Sequence, residues 1–176
     1  MRAKLIVKAD KREKRSTSMR RHDREITDPD AIIEVMKKCD VCRLALNDAG
    51  GYPYILPLNF GMTADDGKIE LYFHGANEGT KYDLIAKDNR ASFEMDCAHR
   101  LVLDEETKNC TMEYESVIGQ GTIEILSDEQ KPDALKIFMS HYRAEDFKFN
   151  KAIMPQTTVF KLTVSYVTGK RRMKKH

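Results

Sequence analysis

Apolar and polar residues alternate along several short segments of this chain, which is the pattern expected of half-buried β-strands. The clearest case is segment 69–74, in which Ile69, Leu71 and Phe73 are separated by more polar residues. The same period of two predicts further strands over 41–46, 52–60, 90–96, 112–126 and 157–167. The chain is therefore expected to be rich in strands.

Three other segments follow the helical period of about 3.6 residues. The first helix is predicted to begin with Asp28 as its N-cap and Pro29 in its first turn, and to end near Cys39. The second is predicted over about 79–87. The third is introduced by a capping-box pair and has one apolar face. The pair is Ser127 and Gln130, and the face consists of Leu135, Phe138, Met139 and Tyr142.

The first two predicted strands form a β-hairpin, because Asn47–Gly51 is a turn sequence between them. Two prolines, Pro53 and Pro57, interrupt the second strand of this hairpin. Proline cannot donate to a sheet ladder, so this strand is expected to lie at an edge or to contain irregular backbone. Backbone groups around Pro57, Leu58 and Asn59 would then be available to a ligand.

Segments that follow neither period are expected to be connections. Residues 99–111 are predicted to form a polar loop, and residues 143–156 to be irregular. Gly119 and Gly121 are expected to mark a bend or bulge within the long 112–126 segment. Gly169 is expected to end the last strand.

The elements together comprise six or seven strands in short hairpins with two or three helices, without a regular alternation of strand and helix. This pattern predicts a mainly β fold, an antiparallel barrel with peripheral helices. The length of 176 residues suits one domain. We expect a basic N-terminal extension over 1–18, with a short strand at 5–7, then the domain over 19–171 and a basic tail over 172–176.

Charge is distributed unevenly along the chain. Residues 1–24 carry ten Lys or Arg and three Asp or Glu, and residues 170–176 carry five and none, which leaves a net charge of −10 on residues 25–169. The basic ends could bind nucleic acid, pair with the acidic domain or remain solvated. No aromatic residue is interleaved with the basic ones for base stacking, so nucleic-acid binding is the less favoured interpretation.

Neither a bilayer-length apolar run nor a signal-peptide pattern is found, so a cytoplasmic protein with free thiols is expected. Cys39 and Cys42 have the spacing of a metal or redox pair. Zinc would need two further ligands, and Cys97, His99 and Cys110 are candidates by count alone. Buried or half-buried thiols are the favoured interpretation, so no metal site is predicted.

The connection after the 69–74 strand has the residues of an anion site. Gly75 and Gly79 permit close backbone approach, the following helix offers free N–H groups, and Lys81 adds a positive charge beside the hydroxyl of Thr80. His74 lies at the end of the same strand. The segment therefore indicates either a phosphate site beside a histidine or an ordinary strand-to-helix connection with a surface lysine, since short glycine motifs are common.

The chain resembles the FMN-binding split-barrel family that includes pyridoxamine 5′-phosphate oxidase, and most resembles its nitroimidazole-resistance branch. The resemblance spans about Met19 to Arg171 and implies an antiparallel Greek-key split barrel that is homodimeric. The segments that carry it are MRRHDREITDPDAI at 19–32, CDVCRLALNDAGGYPYILPLNFGM at 39–62, LYFHGANEGTKYDLIAKDNRASFEMD at 71–96 and YESVIGQGTIEIL at 114–126.

The resemblance also implies that FMN lies at the dimer interface. Lys81 corresponds to a phosphate-binding lysine, the segment from Pro57 corresponds to one beside the flavin ring, and Ser116 falls where the oxidases contact FMN from the second subunit. The residues placed at the cofactor are Arg43, Leu44, Pro57, Leu58, Asn59, His74, Gly75, Thr80, Lys81 and Ser116.

The implied function is an FMN-dependent oxidoreductase that reduces a small-molecule acceptor, such as a nitro compound or a quinone, with NAD(P)H or another donor. His74 would then be a candidate proton donor or a residue that orients FMN. A flavin- or ligand-binding protein without turnover is the alternative. The chain departs from true pyridoxamine 5′-phosphate oxidases, because Lys170, Arg171 and Arg172 have no histidine partner within the end of the last strand. The vitamin B6 activity is therefore not expected.

Overall fold

We describe a computed structural model of the chain, which places residues 19–150 and 152–173. The strands are β1 (Glu25–Ile26), β2 (Cys42–Leu46), β3 (Tyr54–Leu58), β4 (Gly61–Asp65), β5 (Lys68–Ala76), β6 (Arg90–Asp104), β7 (Asn109–Ile125) and β8 (Thr157–Arg172). The helices are α1 (Pro29–Lys38), α2 (Thr80–Lys87) and α3 (Lys131–His141), with 3-10 turns at His22–Arg24 and Met154–Gln156. The predicted strand at 5–7 and the basic extension over 1–18 lie outside the described residues.

All eight described strands belong to one antiparallel sheet in the order β3-β2-β6-β7-β8-β5-β4, with β1 paired to β8 beside this path. The longest strands, β6, β7 and β8, form its centre. The three helices lie around the sheet, as the sequence predicted for a mainly β protein with peripheral helices.

Helix α1 forms where its capping residues predict it. The Oδ1 atom of Asp28 accepts a hydrogen bond from the backbone N–H of Asp30 at 3.1 Å, and Pro29 occupies the first turn. Val35 and Met36 are completely buried in the main core. The helix ends before Cys39, so both predicted ends are confirmed.

The β2–β3 hairpin also forms as predicted, with Arg43 opposite Pro57 in the register. Strand β3 is the terminal strand of the sheet, which explains how it tolerates Pro57.

The predicted loop over 99–111 is wrong. Strands β6 and β7 continue through this region as a two-stranded arm that pairs as far as Asp104 and Asn109. A register shift between Cys97 and Arg100 breaks the alternation at the base of the arm, and the apolar side chain of Leu101 is exposed rather than buried. The sequence therefore lacked the half-buried pattern from which strands are predicted.

Two further boundaries differ from the prediction. Strand β8 does not end at Gly169 but runs to Arg172, because β1 and β7 both pair with this last segment. Strand β4 was not predicted from the sequence, and it pairs with β5 over its whole length. The predicted bulge near Gly121 is confirmed, since the β7–β8 register shifts between Gln120 and Gly121.

The core occupies the inner side of the sheet. Phe73 and Phe160 stack there with ring centroids 5.2 Å apart. A smaller cluster, formed with Leu135 and Ala134 of α3, packs on β5 and β8 around Tyr72. Helix α3 is thus attached to the sheet beside the end of β5.

A charged cluster around Glu70 on β5 should make the free energy of unfolding depend on pH in the acid range. Burial alone would raise the pKa of Glu70, but bonds from Lys68, Tyr72 and Lys161 lower it to about 2. The ionised form is therefore favoured in the folded state, and its contribution is complete above the unfolded pKa near 4.3 and is lost as pH falls towards 2.

We expect Glu70→Gln to lower the free energy of unfolding at pH 7 by about 1–3 kcal/mol, and by roughly half as much at pH 3. Urea denaturation at both pH values measures the two differences. Glu34→Gln is the control, because Glu34 makes only an exposed pair with Lys37 at 2.9 Å. An equal loss of stability at pH 7 and pH 3 would contradict this assignment.

Candidate functional site

The connection between β5 and α2 is short and fixed at both ends. Its Asn77 side chain donates from Nδ2 to the carbonyl of Pro155 at 2.8 Å and accepts the hydroxyl of Thr158 at 2.9 Å. Gly79 is the N-cap of α2 with φ of 137°, a left-handed conformation that favours glycine. No side chain caps the helix at this end, so its first N–H groups are open to a ligand.

The ammonium group of Lys81 lies over both glycines of this connection. A methyl group placed on Gly75 would be 3.3 Å from Nζ, and one placed on Gly79 would be 3.4 Å from it. Among the described residues, Lys81 forms no ion pair with a carboxylate. An uncompensated cation, exposed backbone and a helix N-terminus therefore meet at one place, which we call the Lys81 cradle.

His74 precedes the cradle at the end of β5. Its ring meets Phe138 of α3 edge-on, with centroids 4.5 Å apart. The residue is exposed as a whole, yet this contact buries the ring enough to lower the pKa of His74. The shift favours the neutral imidazole, in which one nitrogen is a donor and the other an acceptor.

His141 and Tyr142, at the C-terminal end of helix α3, hold the segment that follows β3. The hydroxyl of Tyr142 accepts the backbone N–H of Phe60 at 3.0 Å and donates to the carbonyl of Asp40 at 2.8 Å. Asn59 donates from Nδ2 to the same carbonyl at 3.0 Å. The ring of His141 packs on Phe60 at 4.3 Å. The two residues between β3 and β4, Asn59 and Phe60, are thus positioned by side-chain hydrogen bonds.

The contacts of α3 link two groups of predicted site residues that are far apart in the sheet order. Phe138 contacts His74, and Tyr142, whose ring is 5.3 Å from that of Phe138, holds Phe60. Sequence reasoning missed this role, because the stripe from Leu135 to Tyr142 was interpreted only as core.

A sequence profile described as pyridoxamine 5′-phosphate oxidase matches residues 28–171, which is most of the chain. The chain belongs to the pyridoxamine 5′-phosphate oxidase family. It is 30% identical to a candidate 5-nitroimidazole antibiotic resistance protein from Bacteroides thetaiotaomicron, with 84% of this chain and 86% of that chain covered and a TM-score of 0.73. No curated protein matches the chain.

Two more distant solved structures share the fold of this oxidase-family chain. The flavocytochrome Anf3 from Azotobacter vinelandii is 17% identical over 92% of this chain and 75% of its own, with a TM-score of 0.74. The FAD and heme binding protein from Mycobacterium smegmatis is 18% identical over 86% and 74%, with a TM-score of 0.73. The predicted split-barrel fold is confirmed.

The remaining residues that the resemblance placed at the cofactor lie on β2, β3 and β7. The side chain of Leu44 is completely buried in the core, so only its backbone could reach a ligand. Pro57 and Leu58 end β3 beside the segment held by α3. Ser116 on β7 lies between Asp96 and Lys170 in the sheet register. Their contact with a cofactor stays a prediction.

Arg43 is engaged within the sheet of this family member. Its guanidinium pairs with Glu94 at 3.0 Å and also with Asp96. Burial, with repulsion from Asp96, raises the pKa of Glu94, and Arg43 opposes that shift. The positive charge of Arg43 is therefore balanced by two carboxylates and is not free for a phosphate group.

The side of the sheet that carries Arg43 faces away from the core and is partly apolar. Directly opposed residues of antiparallel strands point to the same face, so three register rows define it. The apolar side chains Ile55, Ile118 and Tyr166 are 61%, 57% and 37% exposed. We call this surface the outer sheet face. Its rows are Ile55-Ala45-Ser92-Gln120-Tyr166, Pro57-Arg43-Glu94-Ile118-Thr168 and Asp96-Ser116-Lys170-Glu25.

Within residues 19–150 and 152–173, no group of three His, Cys, Asp or Glu side chains is arranged to hold a metal ion. All four cysteines are free; Cys39 and Cys42 are buried, and burial raises the pKa of both thiols. No helix in the described part of the chain has the length and apolarity needed to span a membrane.

Proposed function

We propose that this chain is an FMN-dependent oxidoreductase that holds the phosphate of FMN in the Lys81 cradle. The observation that carries the proposal is the position of the unpaired Lys81 ammonium group over Gly75 and Gly79, at the open N-terminus of α2. Thr80 adds a hydroxyl in the first turn of the helix. A phosphate monoester carries about 1.5–2 negative charges near pH 7, which a lysine and a helix N-terminus together offset.

The ring-binding part of the proposed site extends from His74 towards the segment after Pro57. Bound FMN would supply hydride or electron transfer, and the protein supplies position and electrostatics. Tyr142 and Asn59 fix the backbone of the segment, and Phe138 fixes the ring of His74. These contacts keep the polar groups of the site in place before a ligand binds.

We assign His74 to hydrogen bonding with the flavin edge, because Phe138 holds its ring edge-on and burial lowers its pKa, which favours the neutral form. His74→Gln retains a donor and an acceptor, so it should keep most of the NAD(P)H-dependent turnover. His74→Phe should lose it by roughly tenfold or more. Equal loss in both variants would instead assign a proton-donating role to His74.

The acceptor is proposed to be a nitroaromatic or quinone-like compound. The support is the 30% identity with the Bacteroides thetaiotaomicron protein, whose description refers to 5-nitroimidazole resistance. A nitro group takes up two electrons and two protons to give a nitroso group and water, and NAD(P)H can supply the electrons through the flavin.

A homodimer is proposed to complete the site. The outer sheet face exposes Ile55, Ile118 and Tyr166 around the charged cluster of Arg43, and such a face on a soluble protein suits burial against a second copy. Ser116 on this face would then approach the cofactor of the other protomer, as the resemblance implies.

The proposal is tested by the absorbance spectrum of the purified protein and by fluorescence titration with FMN, FAD and riboflavin. We expect flavin absorbance or saturable FMN uptake, with FMN bound more tightly than riboflavin. A colourless protein that takes up no added FMN would falsify the proposal.

A binding protein without turnover is the second candidate function. The observation that favours it is the lowered pKa of His74, which disfavours a protonated imidazole as the proton donor to a substrate. Steady-state consumption of NAD(P)H with a nitroaromatic acceptor distinguishes the two. If bound FMN is reduced by neither NADH nor NADPH, the binding function is the correct one.

A further inference from the structure

The hydroxyl of Tyr82 has no hydrogen-bond partner in the part of the chain that the structure describes. Within residues 19–150 and 152–173, and leaving exposed residues aside, Tyr82 Oη is the one fully buried side-chain nitrogen or oxygen atom without a partner. A buried polar group without a partner destabilises a folded protein, so such an atom calls for an explanation. Tyr82 was not among the site residues predicted from the sequence.

The unpartnered oxygen belongs to the Lys81 cradle by position. A methyl group placed on Gly75 would lie 3.2 Å from Tyr82 Oη and 3.3 Å from Lys81 Nζ, so both groups face the same point above the glycine. The Tyr82 ring is held edge-on to Phe160, with centroids 6.2 Å apart. Lys81 lies over the same ring, with Nζ 4.3 Å from its centroid.

Thr158 is the other polar group near Tyr82, since it is opposite Gly75 in the β5–β8 register. Its hydroxyl proton is already donated to Oδ1 of Asn77 at 2.9 Å. Burial raises the pKa of Tyr82, and a weak interaction with the Thr158 hydroxyl opposes this shift, but the two oxygens do not meet the geometry of a hydrogen bond. The phenol therefore keeps its proton at neutral pH and has a hydrogen bond to give.

We propose that Tyr82 donates its phenolic hydrogen to an oxygen of the phosphate group that binds beside Lys81. This inference rests on the proposed function, in which the cradle binds a phosphate monoester. It adds a phosphate-binding residue, Tyr82, that the family resemblance did not imply. Lys81 covers the Tyr82 ring, so its ammonium group must turn towards the phosphate and thereby uncover Oη. One ligand would then satisfy the cation and the buried hydroxyl together.

The role of this hydroxyl is selectivity for the phosphorylated form of the cofactor. A hydrogen bond to a charged oxygen discriminates strongly against a ligand that lacks the oxygen, because the donor is otherwise left unpaired. The Tyr82 hydroxyl should therefore raise the affinity for FMN and leave the affinity for riboflavin unchanged.

The test is Tyr82→Phe, which removes the oxygen and keeps the ring. We expect the ligand-free variant to melt at the same temperature as the unaltered protein or higher, because an unpaired polar atom has been removed. We expect FMN affinity to fall roughly tenfold and riboflavin affinity to stay the same. Tyr52→Phe, at an 84% exposed tyrosine in the β2–β3 turn, is the matched control and should change neither affinity.

The outcomes separate this inference from the function on which it rests. If the unaltered protein binds neither FMN nor inorganic phosphate, the proposed function fails and the inference fails with it. If it binds FMN and Tyr82→Phe keeps the same ratio of FMN to riboflavin affinity, the inference alone is overturned. A variant that melts lower and loses both flavins equally would show a structural role for the hydroxyl, which also overturns the inference.

Discussion

Replacing Lys81 with methionine is expected to weaken FMN binding by roughly 10- to 100-fold, the largest effect we expect from any single side chain of the site. Methionine keeps the length and apolar stem of lysine but removes the ammonium group, which is the cradle's only cation between positions 74 and 82. Lys81 has no carboxylate partner among the described residues, so its loss leaves no unpaired acid, and the methionine stem can still pack on the Tyr82 ring.

Riboflavin separates an effect on the phosphate from an effect on the whole cofactor. Its affinity should be nearly the same for Lys81→Met and for the unaltered protein, because it lacks the phosphate group. FMN affinity of the unaltered protein should fall with added salt, and the variant should show a weaker salt dependence. Fluorescence titration of both flavins at two salt concentrations measures four affinities for each protein.

Lys87→Met is the matched control. Lys87 belongs to the same helix and is exposed, but it lies in the last turn, where a cation faces the opposite end of the helix dipole. Its removal should leave FMN affinity within about twofold, because exposed charges at the far end of a helix contribute little. Equal FMN affinities for Lys81→Met and Lys87→Met would place the phosphate elsewhere.

The parts of this protein that could be predicted from sequence are those in which the cause is local. The N-cap of α1 depends on Asp28 and Pro29, which are adjacent, and the Lys81 cradle depends on residues within six positions of one another. The edge position of β3 followed from Pro57, because a missing N–H excludes a residue from the centre of a sheet. Each of these features is contained in one short segment.

The parts that could not be predicted depend on contacts between distant segments. Tyr142 holds Phe60, 82 residues away, and Asp40, 102 residues away, and no local pattern distinguishes it from a core tyrosine. The β6–β7 arm was missed because Leu101, Val102 and Leu103 are consecutive apolar residues that do not alternate with polar ones, and Leu101 and Leu103 are exposed in the arm. Hydrophobic periodicity detects a strand only when one face of the strand is buried, so an exposed strand gives no such pattern.

The same reasoning applies to the outer sheet face. An apolar residue that is exposed there in the single chain suggests that another molecule covers it. Ile118 is 57% exposed at the middle of this face, directly opposite Glu94 on β6. A solvent-facing sheet surface normally carries polar residues at such positions. Apolar residues there are explained if a second copy covers the face, which is also what the proposed position of Ser116 requires.

Replacing Ile118 with lysine is therefore expected to convert a dimer into a monomer. The new ammonium group can pair with Glu94 within one chain, so the monomer should fold, but two copies of the charge would be buried near each other in a symmetric interface. Light scattering after size-exclusion chromatography measures the mass of each species. FMN affinity should fall by about tenfold or more in the monomer, because the interface closes the cofactor site in the proposed arrangement.

Ile125→Lys is the control for this variant. Ile125 is on the same strand and is 45% exposed, but it lies seven positions away, on the opposite side of the sheet from Ile118. It should leave both the mass and FMN binding unchanged.

A monomeric unaltered protein that binds FMN would remove the dimer from the proposal while leaving the Lys81 cradle in place, because the cradle is built from one chain. A dimer that survives Ile118→Lys with full FMN affinity would show that the subunits meet through another surface, and the exposure of Ile55, Ile118 and Tyr166 would then need a different explanation.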